Sequence, residues 1–285
     1  MLASLGLSVI NRLSVVFQLR VIDASWQDGI RPLCLAIYVL SILGLALNYF
    51  LARKFGPERQ ELQEADQGQK VERYRKPTRI LHWGHAVSFL ILLGSGLIIF
   101  FFPGSALSGN GWLRIMHRVA GIVFIGLPLL YLLVSGKAAL RGMKLAFRWG
   151  LDDLEWVRVA PEYYYIRDER AMPPQGFFNT AQKVWWLMVI VLGPVIAITG
   201  VLLWIFEASA ATQFYQLMLF IHSVSFIISG NMLLIHIYLA VIHPISHPLK
   251  TGPWGAMTGG KVTMGYARSH HGKWAEDLPK TGENR

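Results

Sequence analysis

Five stretches of the chain carry no acidic or basic residue other than histidine over a length that crosses a membrane. Positions 32–52, 119–136 and 184–206 lack Asp, Glu, Lys and Arg altogether, and positions 80–113 and 208–249 add only histidines. An apolar run of about 18 residues or more is a candidate transmembrane helix. The pattern predicts helices over about 32–52, 80–102, 115–135, 184–206 and 217–243. The second stops at Phe102-Pro103-Gly104 and the fifth at His243-Pro244, where proline and glycine break the run. The fold class is an all-α integral membrane protein. The last four helices form a bundle over 80–243, and the first, 32–52, is an extra N-terminal span. Residues 53–79 read as a polar linker. Residues 136–182 read as a charged segment, and 244–285 as a basic tail rich in Gly and Pro.

Residues 1–31 are apolar but interrupted by Asn11, Arg12, Arg20, Asp23 and Asp28. No basic residue precedes the apolar stretch, so a signal peptide fits poorly. An interfacial amphipathic helix is expected there. A sixth span that tolerates Arg12 is the alternative.

Composition agrees with the pattern. Charged residues make up 15% of the chain, against about 25% for a soluble domain. The net charge of +10 does not point to nucleic acid, because the basic residues cluster. Of 27 Lys and Arg, 8 lie in 53–79, 8 in 137–183 and 6 in 244–285. With one crossing per span these segments share a side, which the positive-inside rule makes cytoplasmic. The N-terminus is then expected outside and the C-terminus inside. Cys34 is the only cysteine. It excludes an intramolecular disulfide, a c-type haem attachment and a cysteine-held iron–sulfur cluster. A metal here must be held by histidine, carboxylate or a cofactor ring.

Nine histidines are the candidate chemistry. His222 and His236 lie fourteen residues apart on the fifth span. That is almost four turns, so both rings leave nearly the same face, roughly 21 Å apart along the axis. Helix order places His82 at the depth of His236 and His117 at the depth of His222. For any one of them, a bond to a backbone carbonyl is the alternative. Four at two depths point to two centres. Zinc wants four ligands at one centre. Two axial histidines per iron, with a porphyrin filling the other positions, fit two opposed pairs. Such centres carry electrons, because no iron position stays open. Gly94, Gly96, Gly121 and Gly230 offer room between helices, although ordinary membrane packing uses glycine too. His85 is a packed polar residue, an alternative ligand or a proton carrier. His243 and His247 flank prolines, and His270 and His271 are expected to be solvated.

Several runs resemble the cytochrome b (gamma) subunit of membrane-bound, quinone-linked formate dehydrogenase. They are Arg79-Ile80-Leu81-His82-Trp83, Arg114-Ile115-Met116-His117 with Gly121, Ala181-Gln182-Lys183, Thr199-Gly200-Val201, and Leu219-Phe220-Ile221-His222 with His236. In the tail, Gly259-Gly260-Lys261-Val262 and His270-His271-Gly272-Lys273-Trp274 resemble it as well. The likeness covers about 70–275, and the first 70 residues are additional.

The resemblance implies the same histidine pairing, in a bacterial inner membrane. It implies two b haems, fed by an extracytoplasmic iron–sulfur subunit that joins a molybdenum or tungsten catalytic subunit. Electrons would pass to a quinone, menaquinone or ubiquinone, near the cytoplasmic face. Asn179 and Gln182 match the family's quinone-pocket residues, with Ala181 in place of an intervening glycine; from the residues alone Asn179 reads as a helix N-cap. Formate oxidation itself would lie in another chain. Two alternatives remain. One is a cytochrome b serving a nickel–iron hydrogenase or a thiosulfate-type sulfur oxidoreductase. The other is a histidine-lined transporter or proton channel without haem.

Overall fold

The computed structural model describes residues 25–55, 69–109, 111–166, 172–209, 212–244 and 252–278. Of the segment 1–31 expected as an interfacial helix, residues 1–24 lie outside the described residues, as does His247, and Trp26–Arg31 belong instead to the first spanning helix. Five helices are long and apolar enough to cross a membrane. They are α1 (Trp26–Phe55), α2 (Lys76–Phe101), α3 (Gly111–Ala146), α5 (Thr180–Ile205) and α6 (Gln213–Ile237), the last continued by a π-turn at Tyr238–Ile242. Leu40, Leu133, Val191 and Ile198 stay exposed on their outer faces, as lipid-facing positions must be. In hydrocarbon the backbone has to satisfy itself, which is why uninterrupted apolar runs become helices.

The bundle packs α2 against α3 and α5 against α6. Helix α1 lies on its flank, parallel to α6 and antiparallel to α2. Three polar side chains of α1 hold it there. Arg31 donates from Nε to Phe100 O at 2.9 Å. The Tyr38 hydroxyl reaches Ile227 O at 3.4 Å. Asn48 accepts from the Tyr238 hydroxyl at 2.5 Å and donates to Tyr164 O at 3.3 Å. Cys34 is fully buried against this seam, with Phe226 and Ile227.

Helix α3 outruns its expected end. It bends at Ser135, whose φ of −137° and ψ of 35° leave the helical region, and continues to Ala146. The charged segment after it contains a further helix, α4 (Leu151–Ile166). The segment read as a linker contains a strand. Strand β1 (Lys70–Glu72) pairs antiparallel with β2 (Lys261–Thr263) from the tail. Around that pair fold α7 (Pro253–Gly259), α8 (Met264–His270) and α9 (Gly272–Glu276). Ala256, Val262, Met264 and Ala267 form the core of this lobe. Gly260 makes its corner. Its φ is +79°, and a Cβ there would sit 2.7 Å from Tyr74 O, so only glycine fits.

Candidate functional site

Helices far apart in sequence meet at both ends of α6. His82, in the second turn of α2, faces His236 with ring centroids 6.2 Å apart. At the other end His117, in the second turn of α3, faces His222 at 6.5 Å. A metal–nitrogen bond of about 2 Å puts an imidazole centroid about 3 Å from the metal, so two rings across one ion stand about 6 Å apart. Both pairs have that spacing. Among the described residues no three metal-ligating side chains converge. Each end could therefore offer a metal two imidazoles, an arrangement that suits a planar ring such as a porphyrin.

Hydrogen bonds fix the tautomers of one pair. Ser95 Oγ lies 2.7 Å from His117 Nδ1 and 2.6 Å from Ile91 O. A hydroxyl has one proton, and the carbonyl can only accept it, so Nδ1 must be the protonated nitrogen. Thr199 repeats the arrangement, 3.0 Å from His222 Nδ1 and 2.7 Å from Val195 O. Both rings thus keep an Nε2 lone pair, as metal ligation requires. A glycine follows each hydroxyl residue and lies beside the ring, tightly at Gly200 and in ordinary contact distance at Gly96. A Cβ on Gly96 would be 3.6 Å from His117 Cε1, and one on Gly200 would be 3.2 Å from His222 Cε1. From sequence alone Ser95 has no assigned role and Thr199 is marked only within a family-like run, although a hydroxyl residue followed by glycine recurs at both places.

The other pair is set by aromatic packing. Trp185 stacks on His236 at 4.4 Å, and Trp83 meets His82 edge-on at 5.0 Å. His82 Nδ1 is buried without a hydrogen-bond partner, and so is His85 Nδ1. His85 lies against Phe124 of α3, centroids 4.1 Å apart. Gly230 does not face the histidines. A Cβ there would fall 2.0 Å from the Tyr38 hydroxyl, so its space belongs to α1.

Asn179 and Gln182 close the start of α5 as a capping box. The Asn179 side chain accepts from Gln182 N–H at 2.9 Å, and Gln182 Oε1 accepts from Asn179 N–H at 3.1 Å. The cap thus uses the oxygen of each amide and leaves its NH2 group as a donor. Asp153 of α4 braces the same turn, accepting from Lys183 at 2.7 and 2.8 Å and from the Thr180 hydroxyl at 2.8 Å.

Two further histidines are fully buried, one of them against expectation. His243 is fully buried, its Nε2 2.9 Å from Tyr164 O. His271, expected in solvent, is also fully buried and hydrogen-bonded to Gly176 O and Arg73. Burial, then the adjacent Arg73 charge, holds its pKa well below the usual histidine value. Its partners lie 95 and 198 residues away in the chain, beyond the reach of local pattern.

The family model described as prokaryotic cytochrome b561 matches residues 73–260. That range holds all four paired histidines and leaves out α1. The formate dehydrogenase cytochrome b556(fdo) subunit of Escherichia coli (strain K12) is 27% identical over 229 residues, covering 75% of this chain and 96% of the relative. The formate dehydrogenase cytochrome b556 subunit of Haemophilus influenzae is 25% identical over 226 residues, covering 72% and 82%. The nitrate-inducible formate dehydrogenase cytochrome b556(Fdn) subunit of Escherichia coli (strain K12) is 27% identical over 213 residues, covering 71% and 88%. With five apolar helices of spanning length and a family match over more than half of its residues, the chain belongs to the prokaryotic cytochrome b561 family and is a multi-pass membrane protein of the kind that carries haem b.

Proposed function

We propose that this chain is the membrane-anchoring dihaem cytochrome b subunit of a formate dehydrogenase-type respiratory complex. His82 with His236 and His117 with His222 would hold two b haems. The observation that carries this reading is the pair of imidazole pairs at the two ends of α6, each at the spacing of two rings across one metal. Haem supplies reversible one-electron chemistry. The protein's own part would be to supply the two imidazoles at each end, to fix His117 and His222 by Ser95 and Thr199, and to keep both pairs inside an apolar bundle.

The relatives bear the names of formate dehydrogenase subunits, which supports partner subunits of a formate dehydrogenase complex. One is an iron–sulfur subunit on the outer side, joined to a molybdenum or tungsten subunit that oxidises formate. The basic residues of α4, α5 and the tail lobe lie on the side of His82 and His236. By the positive-inside rule that side is cytoplasmic, with the N-terminus outside and the membrane the bacterial inner membrane. Electrons then leave on the cytoplasmic side to a quinone, menaquinone or ubiquinone. The NH2 groups of Asn179 and Gln182 suit its carbonyl oxygens as donors. Purification in mild detergent tests the assignment. An attached iron–sulfur subunit and two haems per chain are expected, and a chain with neither contradicts it.

A further inference from the structure

The start of α5 is held by residues that the electron path leaves unused. Arg73, just after β1, is 6% exposed. Among the described residues no carboxylate pairs with it. A buried cation is costly unless its donors are met; here Nη2 makes the bonds, and Nη1 is buried without a partner among the described residues. Arg73 Nη2 donates to Phe177 O at 2.6 Å and reaches Gln182 Oε1 at 3.4 Å. Its guanidinium carbon lies 4.8 Å from the Phe177 ring centroid and 4.7 Å from that of Trp274, where a cation is attracted to the ring faces. The same Nη2 lies 3.0 Å from His271 Nε2. His271 Nδ1 lies 2.8 Å from Gly176 O. A carbonyl can only accept, so Nδ1 carries the proton and Nε2 accepts from Arg73. The direction of the chain is then fixed. Arg73 Nη2 has two protons for three acceptors: Phe177 O and His271 Nε2 are the near ones, Gln182 Oε1 at 3.4 Å shares a proton as the longest contact, and His271 donates to Gly176 O.

We propose that Arg73 and His271 are positioning residues of the quinone site at the start of α5. His271 orients the Arg73 fork, and Arg73 fixes the Gln182 amide with its oxygen turned inward, so that its NH2 is offered to a quinone carbonyl. This rests on the quinone site proposed above. It makes the folded C-terminal lobe part of that site, although His271 lies beyond the family match, which ends at residue 260.

The test is re-oxidation of the dithionite-reduced full-length protein by decylubiquinone and by menadione over a range of concentrations, with haem content measured in parallel. Arg73→Met and His271→Phe should raise the half-saturating quinone concentration about tenfold, as expected for loss of a bond to a charged group, with the maximal rate and the haem spectra little changed. His271→Gln, whose Oε1 can accept from Arg73, should recover most of the affinity. If Gln182→Ala raises the half-saturating concentration and His271→Phe and Arg73→Met do not, the inference is overturned while the quinone site stands. If Gln182→Ala changes nothing, the quinone site itself is refuted, and the inference with it. Equal defects in His271→Gln and His271→Phe would reduce the contact to packing and overturn the positioning role. Should His271→Phe fail to assemble, Arg73→Lys decides. It keeps the charge without the fork, and unchanged affinity would overturn the proposal.

Discussion

The hydroxyl of Ser95 accepts a hydrogen bond from His117 Nδ1 at 2.7 Å, and Thr199 does the same for His222 at 3.0 Å. An imidazole that donates from Nδ1 is a stronger electron donor through Nε2, which favours the oxidised metal. Ser95→Ala and Thr199→Ala should each raise the midpoint potential of the outer haem and leave the other unmoved. A spectroelectrochemical titration reads this directly. A lowered potential, or a shift in the inner haem alone, would contradict the hydrogen-bond assignment.

Gly230→Ala should loosen α1 rather than remove a haem. The new Cβ would meet the Tyr38 hydroxyl at 2.0 Å and Leu93 Cδ1 at 2.8 Å. Overpacking of this kind costs about 1–3 kcal/mol. Adding Tyr38→Phe removes the closest atom and should restore part of the loss in thermal unfolding in detergent. Loss of haem from Gly230→Ala with α1 still docked would place that glycine against the cofactor instead.

Asp153 ties α4 to α5 and should make that contact sensitive to acid. Burial pushes its carboxyl up, but bonds from Lys183, the Thr180 hydroxyl and Gly150 N–H outweigh this, and its pKa lies below the usual value. A depressed carboxylate stabilises the fold above its unfolded pKa of about 4 and loses that contribution as pH falls through the folded pKa. Hydrogen exchange in α4 should therefore quicken below about pH 4. In Asp153→Asn, which leaves the Lys183 charge without its partner at a cost of about 3 kcal/mol, exchange should be fast already at neutral pH. Equal protection in the two proteins at neutral pH would contradict this role.

His271 titrates in the opposite chemical sense with the same direction of stability. It is neutral in the fold, so its contribution is full above its unfolded pKa of about 6.5 and falls as the pH drops below that. Arg73 from the β1 end and His270 on its own side both oppose its protonation. Docking of α8 and α9 should weaken between neutral pH and mild acid, seen as faster proteolysis of the C-terminal lobe. His271→Gln should remove that dependence, and a variant as acid-sensitive as the parent would contradict it.

The membrane spans were legible because lipid leaves the backbone one solution, and a charge-free run announces it. The depth of His82, His117, His222 and His236 was legible from helix order alone. What surrounds them was not. Ser95 and Thr199 look like ordinary small polar residues until their hydroxyls are seen shared between a carbonyl and an imidazole. Gly230 read as room for a cofactor because glycine signals close approach without saying what approaches. Helix α4 and the C-terminal lobe carry no apolar run of membrane length. Their order comes from contacts such as Arg73 with His271, 198 residues apart, which no window along the chain contains.

The central claim is that each histidine pair holds one haem. Visible spectra of the purified protein and four single variants test it most directly. The parent should show a reduced b-type α-band with two haems per chain. His117→Ala and His222→Ala should each lose the same haem, and His82→Ala and His236→Ala should each lose the other. A parent without that band, or one haem lost alike in His82→Ala and His222→Ala, would contradict the account.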